Sequence, residues 1–340
     1  MKVTIRDIAK EAGVSPASVS LVLNDKPCRI ADKTRERILE TAKEKGYIVN
    51  RKQVKKEKVI GVLIPEGGKY FHTRCVEGIC IYNSIHGYKT ITCQVDETTD
   101  KCLGDIELMV SLNVQGIILI PPLDMNIGNN NERFKEALSK SKLPFLLLDH
   151  AIDRIFCDFI TADNKSGAYM ATEHLILAGH ERIGVIAGIR EVYNTRKRLE
   201  GYKEAMVFYG KSIIEENIYY GDYRGDTGYS GADYLWKRGV TAIFCMNDEM
   251  ALGVYAFARD KGLTIGDDIS VIGFDDTPVC KIMSPPLTSV AQPGDLMGKK
   301  AAEVLIKRIE KVDKEGFRNN YFAPQLIERK SVRIMEIETC

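Results

Sequence analysis

The sequence predicts an α/β protein with a three-helix head at the amino terminus and a body of two doubly wound parallel-sheet subdomains. Three observations carry this expectation. The first 46 residues hold short helical periodicities broken by glycines. From Val59 onward, apolar runs alternate with helical stretches of about 10–15 residues. That alternation falls into two sets, roughly 59–160 and 163–285.

Charge divides the chain at the same place. The formal net charge is +1. Residues 1–58 hold 15 Lys/Arg against 8 Asp/Glu, a net of +7, and the remainder holds 33 against 39, a net of −6. A basic head on an acidic body is the expected footprint of a piece that meets phosphate attached to one that does not. No stretch reaches about 18 apolar residues, and no apolar run follows Met1-Lys2, so neither a membrane span nor a secretory signal is expected. The nine cysteines, at 28, 75, 80, 93, 102, 157, 245, 280 and 340, form no Cys-x-x-Cys pair. Such a scatter suits reduced thiols in a cytoplasm better than a disulfide framework.

In the head, Thr4 is a good N-cap with Asp7 three residues on. Ile5, Ile8, Ala9 and Ala12 lie on one helical face, and Gly13 can take the left-handed conformation that ends a helix. Ser15 caps a second helix, with Pro16 at its first position and Val19, Val22 and Leu23 on its buried side. Helix, glycine turn, helix is the geometry that lays a second helix in the DNA major groove. Ile38, Leu39 and Ala42 give a third helix its apolar face, and Gly46 closes it.

In the body, "VIGVLIPE" (59–66) reads as a buried strand. A helix at 71–87 follows, then "YKTITCQV", a helix at 101–112, "GIILIPP", a helix at 131–140 and "PFLLLDH". The second set runs through a helix at 165–179, "RIGVIAG", a helix at 196–209, "IYYGD" and a helix at 227–238. It continues with "AIFCMND", a helix at 248–261 and "SVIGFDD". Open α/β sheets bind ligands at the carboxyl ends of their strands, which gathers Asp149, Asn247-Asp248 and Asp275-Asp276 around one cleft.

"TIRDIAKEAGVSPASVSLVLN" and "TRERILETAKEKGY" resemble the DNA-binding head of the lac-repressor (LacI/GalR) family. "ADNKSGAYMATEHLILAGHERIGVIAG", "TAIFCMNDEMALGVYA", "DDISVIGFDDTPVCKIMSPPLTSVAQP" and "LIERKSV" resemble its periplasmic-binding-protein-like body. The resemblance spans almost the whole chain. It implies a head over 1–46, a basic connector over 47–58 and an effector-binding, dimer-forming body over 59–340. Subdomain 1 would hold about 59–161 and 290–322, and subdomain 2 about 162–289 and 323–340.

The resemblance places Thr4, Ser15, Pro16, Ala17, Ser18, Ser20 and Leu21 at the DNA, with Asn24, Lys33, Arg35 and Asn50 as backbone contacts. The family usually carries Arg at the position of Leu21. Leu offers only van der Waals contact, for instance to a thymine methyl, so the preferred half-site should depart from the family's at that base. The connector "YIVNRKQVKKEK" lacks the family's alanines and wedge leucine, leaving Val54 as the one apolar candidate. It is either a degenerate hinge held on phosphates by Lys52, Lys55 and Lys56, or a plain tether.

A ligand-binding set also follows from matching positions: Phe71, His72, Asp149, Asp153, Arg198, Tyr223, Asn247 and Asp275. These residue types supply rigid donors, acceptors and an aromatic face for a neutral polyol or nucleobase-like ligand. Asn247 and Asp275 are also suited to capping the loops after their strands, and Phe71 and Tyr223 to ordinary core. Asp163 and Asn164 are expected to brace the crossover between subdomains. No zinc spacing accompanies His72 and Cys75, and no phosphate-binding glycine motif or Ser-His-acid set appears. The expectation is a cytoplasmic transcription regulator without cofactor, metal or membrane. As a homodimer it would repress a palindromic operator under control of a small molecule, a sugar or sugar derivative by family default. The other reading is a sugar-binding protein whose head has reduced DNA affinity.

Overall fold

The structure, a computed structural model, describes residues 3–24, 26, 28, 30–47, 57–65, 70–95, 98–312 and 316–335. The chain divides into two compact units, residues 1–57 and 58–340.

The first unit is built from α1 (Ile5–Glu11), α2 (Pro16–Leu23) and α3 (Asp32–Glu44). Thr4 accepts from the Asp7 backbone N–H, and the Asp7 carboxylate accepts from the Thr4 backbone N–H in return, a complete capping box. Gly13 has φ +62°, the left-handed turn that lets α2 start at once. Ile8, Ala9, Val19, Val22, Leu23, Ile38 and Ala42 close a small core. Leu39 departs from expectation. It is 46% exposed, and Thr41 takes the buried position beside Ile38 and Ala42, because Thr41 and Ala42 lie three and four residues after Ile38 and share its helix face, while Leu39 is turned about 100° from it.

The second unit follows a β-α alternation. Its first half comprises β1 (Lys58–Pro65), α4 (Tyr70–Ile85), β2 (Tyr88–Val95), α5 (Thr99–Ser111), β3 (Gly116–Leu119), α6 (Asn130–Ser141), β4 (Phe145–Leu148) and β5 (Asp158–Ala162). Its second half comprises α7 (Asn164–Leu177), β6 (Ile183–Ala187), α8 (Tyr193–Phe208), β7 (Ile218–Tyr220), α9 (Gly225–Trp236), β8 (Ala242–Cys245), α10 (Asp248–Lys261) and β9 (Ser270–Asp275). The chain closes with β10 (Thr288–Ala291), α11 (Gly294–Ile309), β11 (Asn319–Phe322) and β12 (Gln325–Ile327).

Two six-stranded sheets result, ordered β11-β5-β4-β3-β1-β2 and β12-β10-β9-β8-β6-β7. Every pairing is parallel except that of β12, which runs antiparallel to β10. The chain therefore crosses between subdomains three times, at 163, 292–293 and 323–324. The first sheet carries one core on each face. Phe71, Ile79, Met297 and Leu305 of α4 and α11 cover one side, and Ile106, Met109, Phe134 and Leu138 of α5 and α6 the other. Helix α11 leans directly on α4, where a Cβ at Gly298 would lie 1.9 Å from the Cys75 carbonyl oxygen. The second subdomain has one continuous core around Tyr202, Phe244, Phe257 and Phe274. His180, fully buried, bridges Thr241 and Ser270 by hydrogen bonds of 2.9 Å each. Burial lowers its pKa to about 4, so it is a neutral strut between the residue before β8 and the start of β9.

Candidate functional site

The outward face of α2 is set by helical geometry. Pro16, Ala17, Ser20, Leu21 and Asn24 fall within an arc of about 140° at 100° per residue, while Val19, Val22 and Leu23 point into the core. Pro16 and Ala17 are exposed, and Ser20, Leu21 and Asn24 half-buried. Ser15 accepts from the Ser18 backbone N–H at 3.1 Å, and the two hydroxyls lie 2.9 Å apart. The Thr4 hydroxyl donates to Asp7 at 2.6 Å. Thr4 and Ser15 thus cap the two helices and stand at their outer ends. Asn24 ends α2, its Nδ2 donating to the Ser20 carbonyl oxygen at 2.8 Å. Lys33 is exposed, and Arg35 reaches Cys28 Sγ at 3.7 Å. Asn50 and Val54 lie outside the described residues.

The second candidate surface is a cavity in the body at the carboxyl ends of both sheets. Phe71 and His72 come from the first turn of α4, Asp149 from the loop after β4, and Arg198 from α8. Tyr223 and Asn247 come from the loops after β7 and β8, and Asp275 from the end of β9. All seven line this one cavity. The eighth expected residue, Asp153, does not. It lies on the surface, gripping Arg196 at 2.6 Å, where it ties the loop after β4 to α8.

Three more polar residues of the cavity wall were not expected: His150, Asn194 and Gln292. They complete two networks. In one, the Asp149 carboxylate takes hydrogen bonds from His72 Nε2 and His150 Nδ1, both 3.2 Å, and from Asn194 Nδ2 at 2.9 Å. Burial pushes that carboxyl up, but the hydrogen bonds and charge of the two histidines outweigh it and hold the group well below the usual carboxylate range. In the other, Arg198 donates through Nε to Asn164 Oδ1 at 2.7 Å and through Nη1 to the Met246 carbonyl oxygen. Its guanidinium lies over the Phe274 ring at 3.6 Å and pairs with Asp275 at 4.0 Å. Gln292 Nε2 in turn donates to Asp275 at 2.7 Å. Asn164 also donates to Asn194 Oδ1 at 3.1 Å, joining the two networks, and the Asn194–Asp149 bond carries them across the subdomain boundary.

Asn247 does two things at once. Its Oδ1 caps α10 at Met250, and its Nδ2 holds the Tyr223 carbonyl oxygen, each at 2.9 Å. The Tyr223 hydroxyl meets Thr195 Oγ1 at 2.5 Å, and its ring fills the space a Cβ at Gly188 would need, 2.1 Å away. Behind the cavity floor, Asp248 accepts from Ser289 Oγ at 2.6 Å and from the Thr277 backbone N–H at 2.7 Å. Burial and the nearby charge of Asp275 push its carboxyl up to about 7. Asp149, Tyr223 and Asp275 all have positive φ, at +77°, +71° and +107°, and such strain collects where side chains are held for a purpose. Two buried atoms of the wall, His72 Nδ1 and Gln292 Oε1, have no hydrogen-bond partner among the described residues.

Residues 4–50 match the family model described as bacterial regulatory proteins, lacI family, and residues 172–332 that of a periplasmic binding protein-like domain. Catabolite control protein A of Priestia megaterium is 35% identical over 318 residues, 92% of this chain and 94% of that protein. The chain belongs to the lacI family. Two solved structures are similar to it over nearly the whole chain. A complex of the transcriptional regulator CelR with cellobiose superposes with a TM-score of 0.73 at 26% identity, covering 97% of this chain and 99% of that one. The lac repressor dimer bound to operator and the anti-inducer ONPF gives 0.72 at 27% identity, covering 98% and 100%. This lacI-family chain is accordingly a DNA-binding transcription regulator and not an enzyme. No helix among its described residues is long and apolar enough to cross a membrane.

Proposed function

We propose that the protein is a dimeric repressor in which α2 reads each half of a roughly palindromic operator, residues 47–58 connect head to body, and a neutral sugar-like polyol in the body cavity controls occupancy. The observation that carries the ligand reading is the convergence of seven expected residues on one wall where two buried polar atoms find no partner among the described residues. Buried polar groups nearly always find partners, so His72 Nδ1 and Gln292 Oε1 are suited to hydroxyls arriving with a ligand. The cellobiose complex of CelR and the ribose bound to the Enterococcus faecium family member support the same class. The cavity straddles both subdomains, so ligand contacts on both would change their mutual arrangement. A ligand acts only through its differential affinity for the two arrangements, about 1–3 kcal/mol of coupling.

A melting-temperature screen of neutral mono- and disaccharides tests this reading. A true effector at 100 times its Kd adds about 2.7 kcal/mol to the apparent stability, and Gln292→Ala should weaken it about tenfold. A panel in which no sugar moves the melting point, or a hit indifferent to Gln292→Ala, contradicts it.

A further inference from the structure

Loop 149–157 has a second face. On it the body opens a groove of about 500 Å³, within the range of small-molecule sites. Phe159 of β5 forms its floor, meeting Tyr193 and Tyr321 edge-on with ring centres 5.5 and 6.5 Å apart. Phe156 and Phe317 stand at the rim, 83% and 62% exposed. Cys157 also lines the groove, and burial pushes its thiol up to about 12, so it is an apolar wall and not a nucleophile. None of the described residues lining the groove carries a formal charge.

We infer that this groove is a second small-molecule site, for an uncharged, flat aromatic compound of two or three rings. Absence of charge on the described lining disfavours phosphates and sugar acids, which would lose hydration with no ion to replace it. Edge-on rings at the floor suit an aromatic guest, with the hydroxyls of Tyr193 and Tyr321 and the Asn319 amide as polar handles. A protein partner fits less well. The exposed rings, at about 150–250 Å² each, supply far less than the roughly 800 Å² per side of a stable protein interface. The placement is also that of a ligand site: Tyr193 belongs to α8 of the second subdomain, and the other lining residues to the first. Its neighbour Asn194 and the loop residues Asp149 and His150 line the effector cavity, so the two sites share walls.

The test uses the full chain and indole as the probe, with binding followed by calorimetry and by melting temperature. The rim phenylalanines are exposed, so Phe156→Ala/Phe317→Ala should fold, and circular dichroism checks that it does. Saturable one-to-one binding that raises the melting point and weakens at least tenfold in the double variant is the expected result. No binding at millimolar indole overturns the inference, as does equal binding to both proteins. A wild-type assembly that sediments larger than the double variant overturns it too, since the groove would then be filled by another copy of the chain.

Discussion

The proposed reading face of α2 and the wall of the proposed effector cavity solve opposite problems. On α2, exposed Pro16 and Ala17 are small, and Leu21 is free of polar obligations. On and just behind the cavity wall, hydrogen bonds join Asp149 to Asn194, Asn164 and Arg198, an ion pair at 4.0 Å carries the chain on to Asp275, and Gln292 donates to Asp275 in turn. The first surface stays adaptable because its groups are left for a partner in water. The second is set in advance, since an unpaired polar group in a dry site costs about 1–3 kcal/mol. Substitutions on α2 should therefore change what is bound, and substitutions on the wall should change whether the body holds its shape.

Arg198→Ala is the strongest attack on that contrast. It strips donors from Asp275, Asn164 and the Met246 carbonyl in a buried setting, and breaking such a pair from one side costs about 3–5 kcal/mol. Urea unfolding of the body should show a loss of that order, and Arg198→Lys should recover only part of it, because an ammonium lacks the planar fork. Leu21→Arg should leave stability almost untouched while changing specificity. A bidentate contact to guanine is worth about 1–3 kcal/mol, so selection from random duplexes should return a different base at one symmetric pair of positions. Ser15→Ala removes the α2 cap at a cost of about 1 kcal/mol, read as a lower melting point of the head with the body unchanged. Asp153→Ala is the smallest perturbation. Its pair with Arg196 is a surface one, so stability should change by no more than about 1 kcal/mol, and affinity for any effector should stay within twofold. A larger loss of affinity would return Asp153 to the binding wall.

The same contrast explains what could be read from the chain before its structure. The head was legible because each signal is local: Thr4 with Asp7, Gly13 at the turn, Ser15 with Pro16. Leu39 was misassigned because a single apolar residue can sit one step off the buried face, with Thr41 in its place. In the body, strands long and apolar enough to stand out led to Asp149, Asn247 and Asp275 at their ends. Gln292 follows β10, a four-residue strand with no strong apolar run, and Asn194 hides in the first turn of a polar helix. Their roles come from hydrogen bonds to residues 17 and 45 positions away, which no local pattern encodes. Asp153 shows the reverse error, since a loop that faces the cavity with Asp149 turns its next carboxylate to the surface four residues later.

Operator selection with the intact protein tests the central claim most directly. Duplexes enriched from a random pool should share a pseudo-palindromic site, bound with an affinity that falls by about a thousandfold or more between roughly 50 and 200 mM salt. A sugar found by the melting screen should change that affinity by about 5–150-fold in the wild type, and much less in Gln292→Ala. Indifference to duplex sequence at every salt concentration, with or without the sugar, would contradict the account of a reading head governed by a ligand-holding body.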